Sequence, residues 1–353
     1  MTPEQKQALA DDGYVVLPGV LDEEECKKMR DGMWDHVEYL LPDVSRDDQS
    51  TWRSVPERLA PKHGMLYQNH HFGLCQAAFD VRQNPKSAKA FEEIWGTKAL
   101  TSSVDGVAFG LAPEVTGIGY EYWGWLHLDQ SLTRNKFECV QGWITGEQVG
   151  QGDATLRVLK GSHKFHEEFA TVFGKKVCGD DNASARRKKR SDWYKFSDEE
   201  IQWYRSKGCE VVDIICPAGS QVLWDSRVVH SGKAPTHGRP CARNRYVVYT
   251  SYLPQCKMNG TKAAKKRKAV IEGRMTNHWA DARRLFPAST PQLQPYKKPK
   301  LTKRGAELFG WSDVSVRTCP FVEEHATPAE MMMEAATEAP AAAAAAPAEE
   351  KYK

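Results

Sequence analysis

The spacing of apolar and polar residues changes near residue 100 and divides the chain into a helical part and a β-rich part. Before this point, the pattern predicts helices at residues 3–10, 23–41 and 84–95 and one short strand at residues 14–19. Asp22, with Glu25 three residues later, forms a capping-box pattern where the longest helix begins. Residues 43–75 follow no regular pattern and contain several aromatic residues, so we expect a loop that covers a substrate.

From about residue 100, short apolar runs alternate with Gly, Pro and Asp turns. These runs predict strands at residues 106–111, 139–145, 155–159, 211–215, 221–224 and 246–252. Helices followed by many short strands predict a mainly β fold with supporting helices, as a sandwich or barrel. Residues 174–208 interrupt the strands with a basic run and an amphipathic stretch, and we expect an insertion there.

Composition places the chain among ordinary globular proteins. Its 353 residues are 41% hydrophobic and 10% aromatic, and we find no apolar run long enough for a transmembrane helix. The first residues lack the apolar core of a secretory signal. Nine cysteines without a CxxC pair predict reduced thiols in an intracellular compartment, cytoplasmic or nuclear, and make a cysteine-built zinc site improbable.

Charge is unevenly distributed, although the net charge is only +3. Basic residues concentrate at 186–190, 262–268 and 297–304. Solvated loops explain such runs most simply, and a nuclear-localisation signal or a nucleic-acid contact is the alternative. We expect one domain at 1–254, a peripheral basic extension at 255–325, and a disordered tail rich in Ala, Glu and Pro at 326–353.

A candidate metal site stands out in the β-rich part. On an extended segment, His127 and Asp129 point to the same face, because side chains alternate along a strand. His230 follows an apolar strand and a tight turn, and it would complete a set of two histidines and one carboxylate. That set binds non-haem Fe(II) and leaves coordination positions open. A lone His-x-Asp is a weak signal, so the surrounding sequence matters.

Three segments resemble the phytanoyl-CoA dioxygenase (PhyH-like) family of Fe(II)- and 2-oxoglutarate-dependent oxygenases. They are Asp12-Gly-Tyr-Val-Val-Leu-Pro-Gly, Gly152-Asp-Ala-Thr-Leu-Arg-Val-Leu-Lys-Gly-Ser-His, and the stretch from Pro217 to His230. The resemblance covers roughly residues 8–254 and implies a double-stranded β-helix, the jelly roll of cupin-like proteins. It also implies His127, Asp129 and His230 as metal ligands, Fe(II), 2-oxoglutarate and O2 as cofactors and co-substrates, and ascorbate as an accessory reductant.

2-Oxoglutarate needs a cation for the carboxylate that does not chelate the metal, and arginine suits this because its planar fork bonds a carboxylate bidentately. Arg239 precedes a proline and is expected in a turn. Arg243 best matches the position of the family's arginine, and Arg245 stays a rival because alternation places both on the same face. The hydroxyl of Ser231 is a further candidate for this carboxylate.

Other histidines fit structural roles better than metal binding. His163 and His166 form an H-x-x-H at the end of a strand, where packing or capping is expected, and the adjacent His70 and His71 would splay apart. The family resemblance implies hydroxylation of a small lipid-like or secondary metabolite, with succinate and CO2 released, and the carboxylate at Asp129 argues against halogenation. The alternatives are an oxygenase acting on nucleic acid or protein, and a non-catalytic binding protein. The oligomeric state stays open.

Overall fold

The structure is a computed structural model that describes residues 1–61, 65–120, 125–173, 192–283, 285–286 and 292–311. The predictions for the basic run at 186–190, for the first half of the insertion and for the tail at 326–353 lie outside the described residues.

The described residues contain ten α-helices. They are α1 (Pro3–Asp12), α2 (Glu23–Leu40), α3 (Ser54–Leu59), α4 (Gln76–Gln83), α5 (Pro85–Ile94), α6 (Pro113–Thr116), α7 (His166–Val172), α8 (Asp198–Ser206), α9 (Gly260–Glu272) and α10 (Lys303–Ala306). The strands are β1 (Tyr14–Leu17), β2 (Leu66–Tyr67), β3 (Leu100–Ser102), β4 (Val107–Gly110), β5 (His127–Leu128), β6 (Val140–Thr145), β7 (Thr155–Lys160), β8 (Tyr194–Lys195), β9 (Glu210–Asp213), β10 (Gln221–Asp225), β11 (His230–Lys233), β12 (Arg245–Thr250) and β13 (Tyr252–Pro254).

Two antiparallel sheets form a jelly roll. The larger sheet has the strand order β1-β10-β6-β12-β4-β2, and the smaller has the order β8-β5-β11-β7-β9. Inward-facing side chains of both sheets make one apolar cluster, to which β6, β10 and β12 contribute Trp143, Val222 and Val247 and β7 contributes Val158. The predicted fold class is therefore confirmed, and each of the six predicted apolar runs overlaps a strand.

Helices support the larger sheet, and the longest begins where its capping box predicts. The Asp22 side chain accepts a hydrogen bond from the Glu25 backbone N–H at 2.9 Å, and the Glu25 side chain accepts from the Asp22 backbone at 2.9 Å. A cap of this kind stabilises a helix by about 1 kcal/mol. The buried face of α2 then packs through Met33, Trp34 and Val37 in a cluster that includes β4 and β12 side chains.

The chain beyond residue 254 is not peripheral, and that prediction is wrong for the part described. Trp279, Leu308 and Phe309 are each at most 1% exposed and belong to the main apolar core. The basic run at 262–268 lies on α9, where Lys266 is fully buried and donates to two backbone carbonyls. A run of basic residues usually lies in a solvated loop, which is why the sequence suggested one here. The prediction failed because this run forms a helix, and a helix can bury one lysine while its other lysines stay exposed.

Two further predictions concern the state of the cysteine thiols and the lack of a transmembrane helix. Six described cysteines are free, and five of these are buried. Cys256 is not among these free cysteines, and the expectation of reduced thiols in an intracellular compartment stays a prediction. Among the described helices, none combines the length and the apolar character needed to cross a membrane.

Candidate metal centre

The smaller sheet brings the two predicted histidine ligands together. Strand β5 pairs antiparallel with β11, and His127 lies directly opposite His230 in the register. Their ring centroids are 4.4 Å apart. Side chains of directly opposed residues on neighbouring strands are in contact, so this register alone makes the two imidazoles neighbours.

Backbone carbonyls orient both imidazole rings. The Nδ1 of His127 lies 3.1 Å from the Trp125 carbonyl oxygen, and the Nδ1 of His230 lies 2.9 Å from that of Val228. A carbonyl only accepts hydrogen bonds, so Nδ1 carries the proton in each ring. The lone pair of each neutral imidazole is then on Nε2, which is the arrangement that metal-binding histidines adopt.

Asp129 supplies the carboxylate between these nitrogens. Its Oδ2 lies 3.4 Å from Nε2 of His230 and 3.8 Å from Nε2 of His127. Ligand atoms of the three residues lie within 4.8 Å of one another. Burial favours the neutral carboxyl group, but His278, His127 and His230 together hold the pKa of Asp129 well below its usual range. Two imidazole nitrogens and one ionised carboxylate on a single face fit a ferrous ion with open positions.

The three side chains line a cavity of about 340 Å³. Four tryptophans contribute to its wall: Trp125, Trp143, Trp193 and Trp224. Met65, Leu66 and Gln68 of the region 43–75 also line the cavity. Leu66 belongs to β2, so this region is not irregular throughout, and its role in covering a substrate stays a prediction. A concave site with aromatic walls and a few convergent polar groups is the usual form of a small-molecule site.

Arg245 is the arginine of the described residues that lines this cavity. Its side chain is 6% exposed, and one guanidinium nitrogen donates to the Ala154 carbonyl at 2.8 Å. The guanidinium carbon lies 5.5 Å from the centroid of the Trp143 ring, and Nε has no hydrogen-bond partner. Burial lowers the pKa of Arg245. A buried, incompletely paired guanidinium beside a metal centre is suited to bind an anion.

The structure does not bring the other two predicted carboxylate-binding residues to this cavity. Arg243 lines a neighbouring cavity of about 330 Å³ and lies 3.3 Å from Asp153 through Nη1 and Oδ2. Ser231 follows His230 on β11, so its side chain points to the opposite face of the strand. Arg245 and Met65 border both cavities.

Asn277 and His278 also line the cavity, and sequence reasoning missed both. They follow α9 in the segment that was expected to be peripheral. Nε2 of His278 donates to the Asp129 backbone carbonyl at 3.2 Å, and Nδ1 lies 3.9 Å from Oδ2 of the same residue. His278 therefore holds Asp129 in place, and no motif in the sequence marks it.

The rival histidines have the structural roles that were predicted. Nε2 of His163 bonds the Ala10 carbonyl at 3.0 Å, and Nε2 of His166 bonds the Ser131 carbonyl at 3.2 Å. Both are buried, and burial lowers the pKa of His166 to about 4. The ring of His71 packs against Tyr296, at 4.9 Å between centroids.

Comparisons with known proteins give one relative by sequence and two solved structures that are similar to this chain. A biosynthesis protein of Aspergillus versicolor, Ava biosynthesis cluster protein O, is 24% identical over 221 residues, which cover 62% of this chain and 68% of that protein. The crystal structure of GIG2 from Candida albicans, a GlcNAc-inducible protein, superposes with a TM-score of 0.54 at 14% identity and covers 95% of this chain and 81% of that one. EctD from S. alaskensis, solved with 2-oxoglutarate and 5-hydroxyectoine, gives a TM-score of 0.46 at 13% identity and covers 82% and 86% of the two chains.

A sequence profile identifies the family. The profile described as phytanoyl-CoA dioxygenase (PhyH) matches residues 9–240, which is well over half of the 353 residues. The matched region includes the jelly-roll strands up to β11 and all three residues of the metal centre. The chain belongs to the phytanoyl-CoA dioxygenase family.

Proposed function

We propose that this protein is an Fe(II)- and 2-oxoglutarate-dependent dioxygenase that hydroxylates an unactivated C–H bond of a small organic metabolite. The observation that carries the proposal is the presence of His127, Asp129, His230 and Arg245 around one cavity. The first three fit a ferrous ion, and the fourth fits the carboxylate of a keto acid whose other end reaches the metal. A non-catalytic protein has no need to retain this combination.

Each residue has a defined part in the proposed reaction. His127, Asp129 and His230 would hold iron on one face, and the main-chain carbonyls that fix the two rings limit their rotation. Arg245 would bind the distal carboxylate of 2-oxoglutarate, and its hydrogen bond to Ala154 fixes the fork. When bound, iron would supply the activation of O2 that oxidation of a C–H bond requires, with 2-oxoglutarate as the source of two electrons.

The surrounding side chains shape the cavity and orient the metal ligands. Trp143 is fully buried and Trp224 is 3% exposed, so these two rings form an apolar part of the inner wall. Gln141 donates to Oδ2 of Asp129 at 3.3 Å and limits the carboxylate to one orientation. The balanced reaction takes substrate, 2-oxoglutarate and O2 to hydroxylated substrate, succinate and CO2. Because Asp129 would fill the third ligand position, we propose hydroxylation and not halogenation.

The test is turnover with iron, 2-oxoglutarate, ascorbate and O2 in the presence of fractionated metabolite extracts. We expect iron-dependent succinate formation, and a product that gains one oxygen atom from labelled O2. His127→Ala and Asp129→Ala should abolish both signals, whereas His237→Ala should keep them because His237 is exposed and does not line the cavity. Absence of succinate under all conditions would favour the non-catalytic alternative. Loss of two hydrogens without oxygen gain would overturn the hydroxylation assignment.

The structure gives no specific support to nucleic acid as the substrate. Lys262 is paired with Asp281 at 2.7 Å, and Lys266 is buried, so two positive charges of the run at 262–268 are not offered to a phosphate backbone. Nucleic-acid binding through the run at 186–190 stays a prediction, as does an intracellular location.

A further inference from the structure

A second carboxyl group, beside that of Asp129, lines the same cavity and has no part in holding metal or 2-oxoglutarate. Asp105 lies in the segment between β3 and β4 and is 9% exposed. Its carboxyl group therefore forms part of the wall of a small cavity that four tryptophans also line. Burying a carboxylate without a cationic partner is costly, so its presence requires a reason.

The Asp105 side chain is held in one orientation. Oδ1 accepts a hydrogen bond from the Gly106 backbone at 2.7 Å and another from Nε2 of Gln68 at 3.2 Å. The backbone carbonyl of Asp105 accepts from Arg82 at 2.6 Å. Main chain and side chain are both fixed, and Oδ2 accepts no hydrogen bond from the described residues.

No cationic side chain of the described residues forms an ion pair with this carboxylate. Arg82 is a buried cation that contacts the main chain of Asp105, but its donors all end on main-chain carbonyls: those of Gly73, Asp105, Gly106 and Tyr249. Burial raises the pKa of Asp105, and His278 and Arg82 only partly oppose this. The carboxylate thus gains from any cation that enters the cavity.

Asp105 and Arg245 belong to different segments of the cavity wall. Asp105 precedes β4, whereas Arg245 is the first residue of β12 and pairs with Gly110 at the far end of β4. Both residues line the cavity together with the metal ligands. A guanidinium attracts an anionic co-substrate and a carboxylate repels it, so 2-oxoglutarate favours Arg245 over Asp105.

Aromatic side chains surround the space near the metal ligands. Trp125 packs edge-on to Trp193 at 5.1 Å between centroids, and Phe286 contributes a further ring to the wall. Trp193 is 49% exposed and Phe286 is 41% exposed, which places them at the mouth of the cavity. Aromatic faces attract both apolar groups and cations.

We propose that the substrate of this site is a small amine, with its ammonium group paired with Asp105 and its apolar body held by the aromatic wall. The inference rests on the proposed function in taking this cavity as the substrate site. It narrows the substrate class from any small metabolite to one that carries a protonated nitrogen. The cavity of about 340 Å³ is at the small end of ligand sites and suits a compact molecule.

The experiment compares two probes of nearly equal size and shape, 2-phenylethylamine and 2-phenylethanol. Binding to the full chain is measured by isothermal titration calorimetry, with Fe(II) and 2-oxoglutarate present and oxygen excluded. We expect the amine to bind about tenfold or more tightly than the alcohol, as a charge-assisted hydrogen bond provides. Equal affinities, or no measurable binding of the amine, would overturn the proposal without any variant.

Two variants then assign the preference to one side chain. Asp105→Asn keeps the shape and the acceptor oxygen but removes the charge, so the preference for the amine should fall to about twofold or less. Asp47→Asn removes an exposed carboxylate and should keep the full preference. The affinity for 2-phenylethanol and the melting temperature show whether the Asp105→Asn cavity is intact. A preference that persists in a folded Asp105→Asn protein would overturn the proposal.

Failure of the proposed dioxygenase function and failure of the proposed amine site give different results. If the amine preference depends on Asp105 while no iron-dependent succinate forms with any substrate, the amine site stands and the dioxygenase activity does not.

Discussion

Replacement of Arg245 by glutamine should weaken 2-oxoglutarate binding far more than the same replacement of Arg243. Arg245 lines the cavity with the metal ligands and has an Nε without a hydrogen-bond partner. Arg243 lines the neighbouring cavity and is 24% exposed, with Asp153 as its ion-pair partner at 3.3 Å. The two residues differ by two positions in the sequence, so they form a matched pair.

The magnitude follows from the bonds that are lost. A charge-assisted hydrogen bond contributes about 1.5–3 kcal/mol, which corresponds to a rise of about 10- to 150-fold in the dissociation constant of 2-oxoglutarate. Arg245→Gln also leaves the Ala154 carbonyl without its donor, at a cost of about 1–3 kcal/mol of folding stability. That loss is smaller than the 5–15 kcal/mol by which typical domains are stable, so the variant should fold. Arg243→Gln should change the dissociation constant by about twofold or less.

The assay is anaerobic titration of 2-oxoglutarate into the iron-loaded protein, with urea unfolding measured on each variant in parallel. Steady-state dependence of succinate formation on 2-oxoglutarate should give the same order. The reasoning is refuted if Arg243→Gln weakens binding more than Arg245→Gln does, or if a folded Arg245→Gln protein binds 2-oxoglutarate as the wild type does.

Three further predictions concern the C-terminal part of the chain. His278→Ala removes the hydrogen bond to the Asp129 carbonyl and should lower iron affinity by about tenfold in a metal titration. His237→Ala should leave iron affinity unchanged. Unchanged iron affinity in His278→Ala would contradict the positioning role of His278. Burial lowers the pKa of Lys266 to about 7. Between that pH and the ordinary lysine pKa, the unfolded chain binds more protons than the folded chain, so the free energy of unfolding rises with pH. Urea unfolding at about pH 7 and about pH 9 should therefore show the wild type gaining stability relative to Lys266→Met, and a constant difference would contradict this. A chain that ends at Pro254 lacks the buried Trp279, Leu308 and Phe309 and should be recovered unfolded or aggregated. A soluble truncated protein with the wild-type melting temperature would show that the extension is dispensable.

Local sequence pattern determined much of the jelly roll and its metal ligands. The short apolar runs overlap strands because each run is buried between the sheets and is bounded by turn residues. His127 and Asp129 converge as alternation requires, although β5 itself extends only over His127–Leu128. The position of His230 opposite His127 depends on strand pairing. The residue pattern offered His230 as the third ligand, and the family resemblance strengthened that assignment.

The alternation of side chains along a strand could not decide whether Arg243 or Arg245 lines the cavity. Alternation placed both side chains on one face, but β12 begins at Arg245, and Arg243 lies in the irregular segment before it. The rule of alternating faces holds only within a strand, so it cannot place a residue outside one. His278 was missed for a different reason, because its contact with Asp129 joins residues 149 apart and depends on how α9 packs against the core.

The most direct test of the metal centre is anaerobic titration of Fe(II) in the presence of 2-oxoglutarate, with the visible absorption of the iron–keto acid complex as the readout. We expect one ferrous ion per chain in the wild type and in His237→Ala, and no such complex in His127→Ala or His230→Ala. A complex of full intensity in either of these last two folded variants would contradict the assignment of the metal ligands.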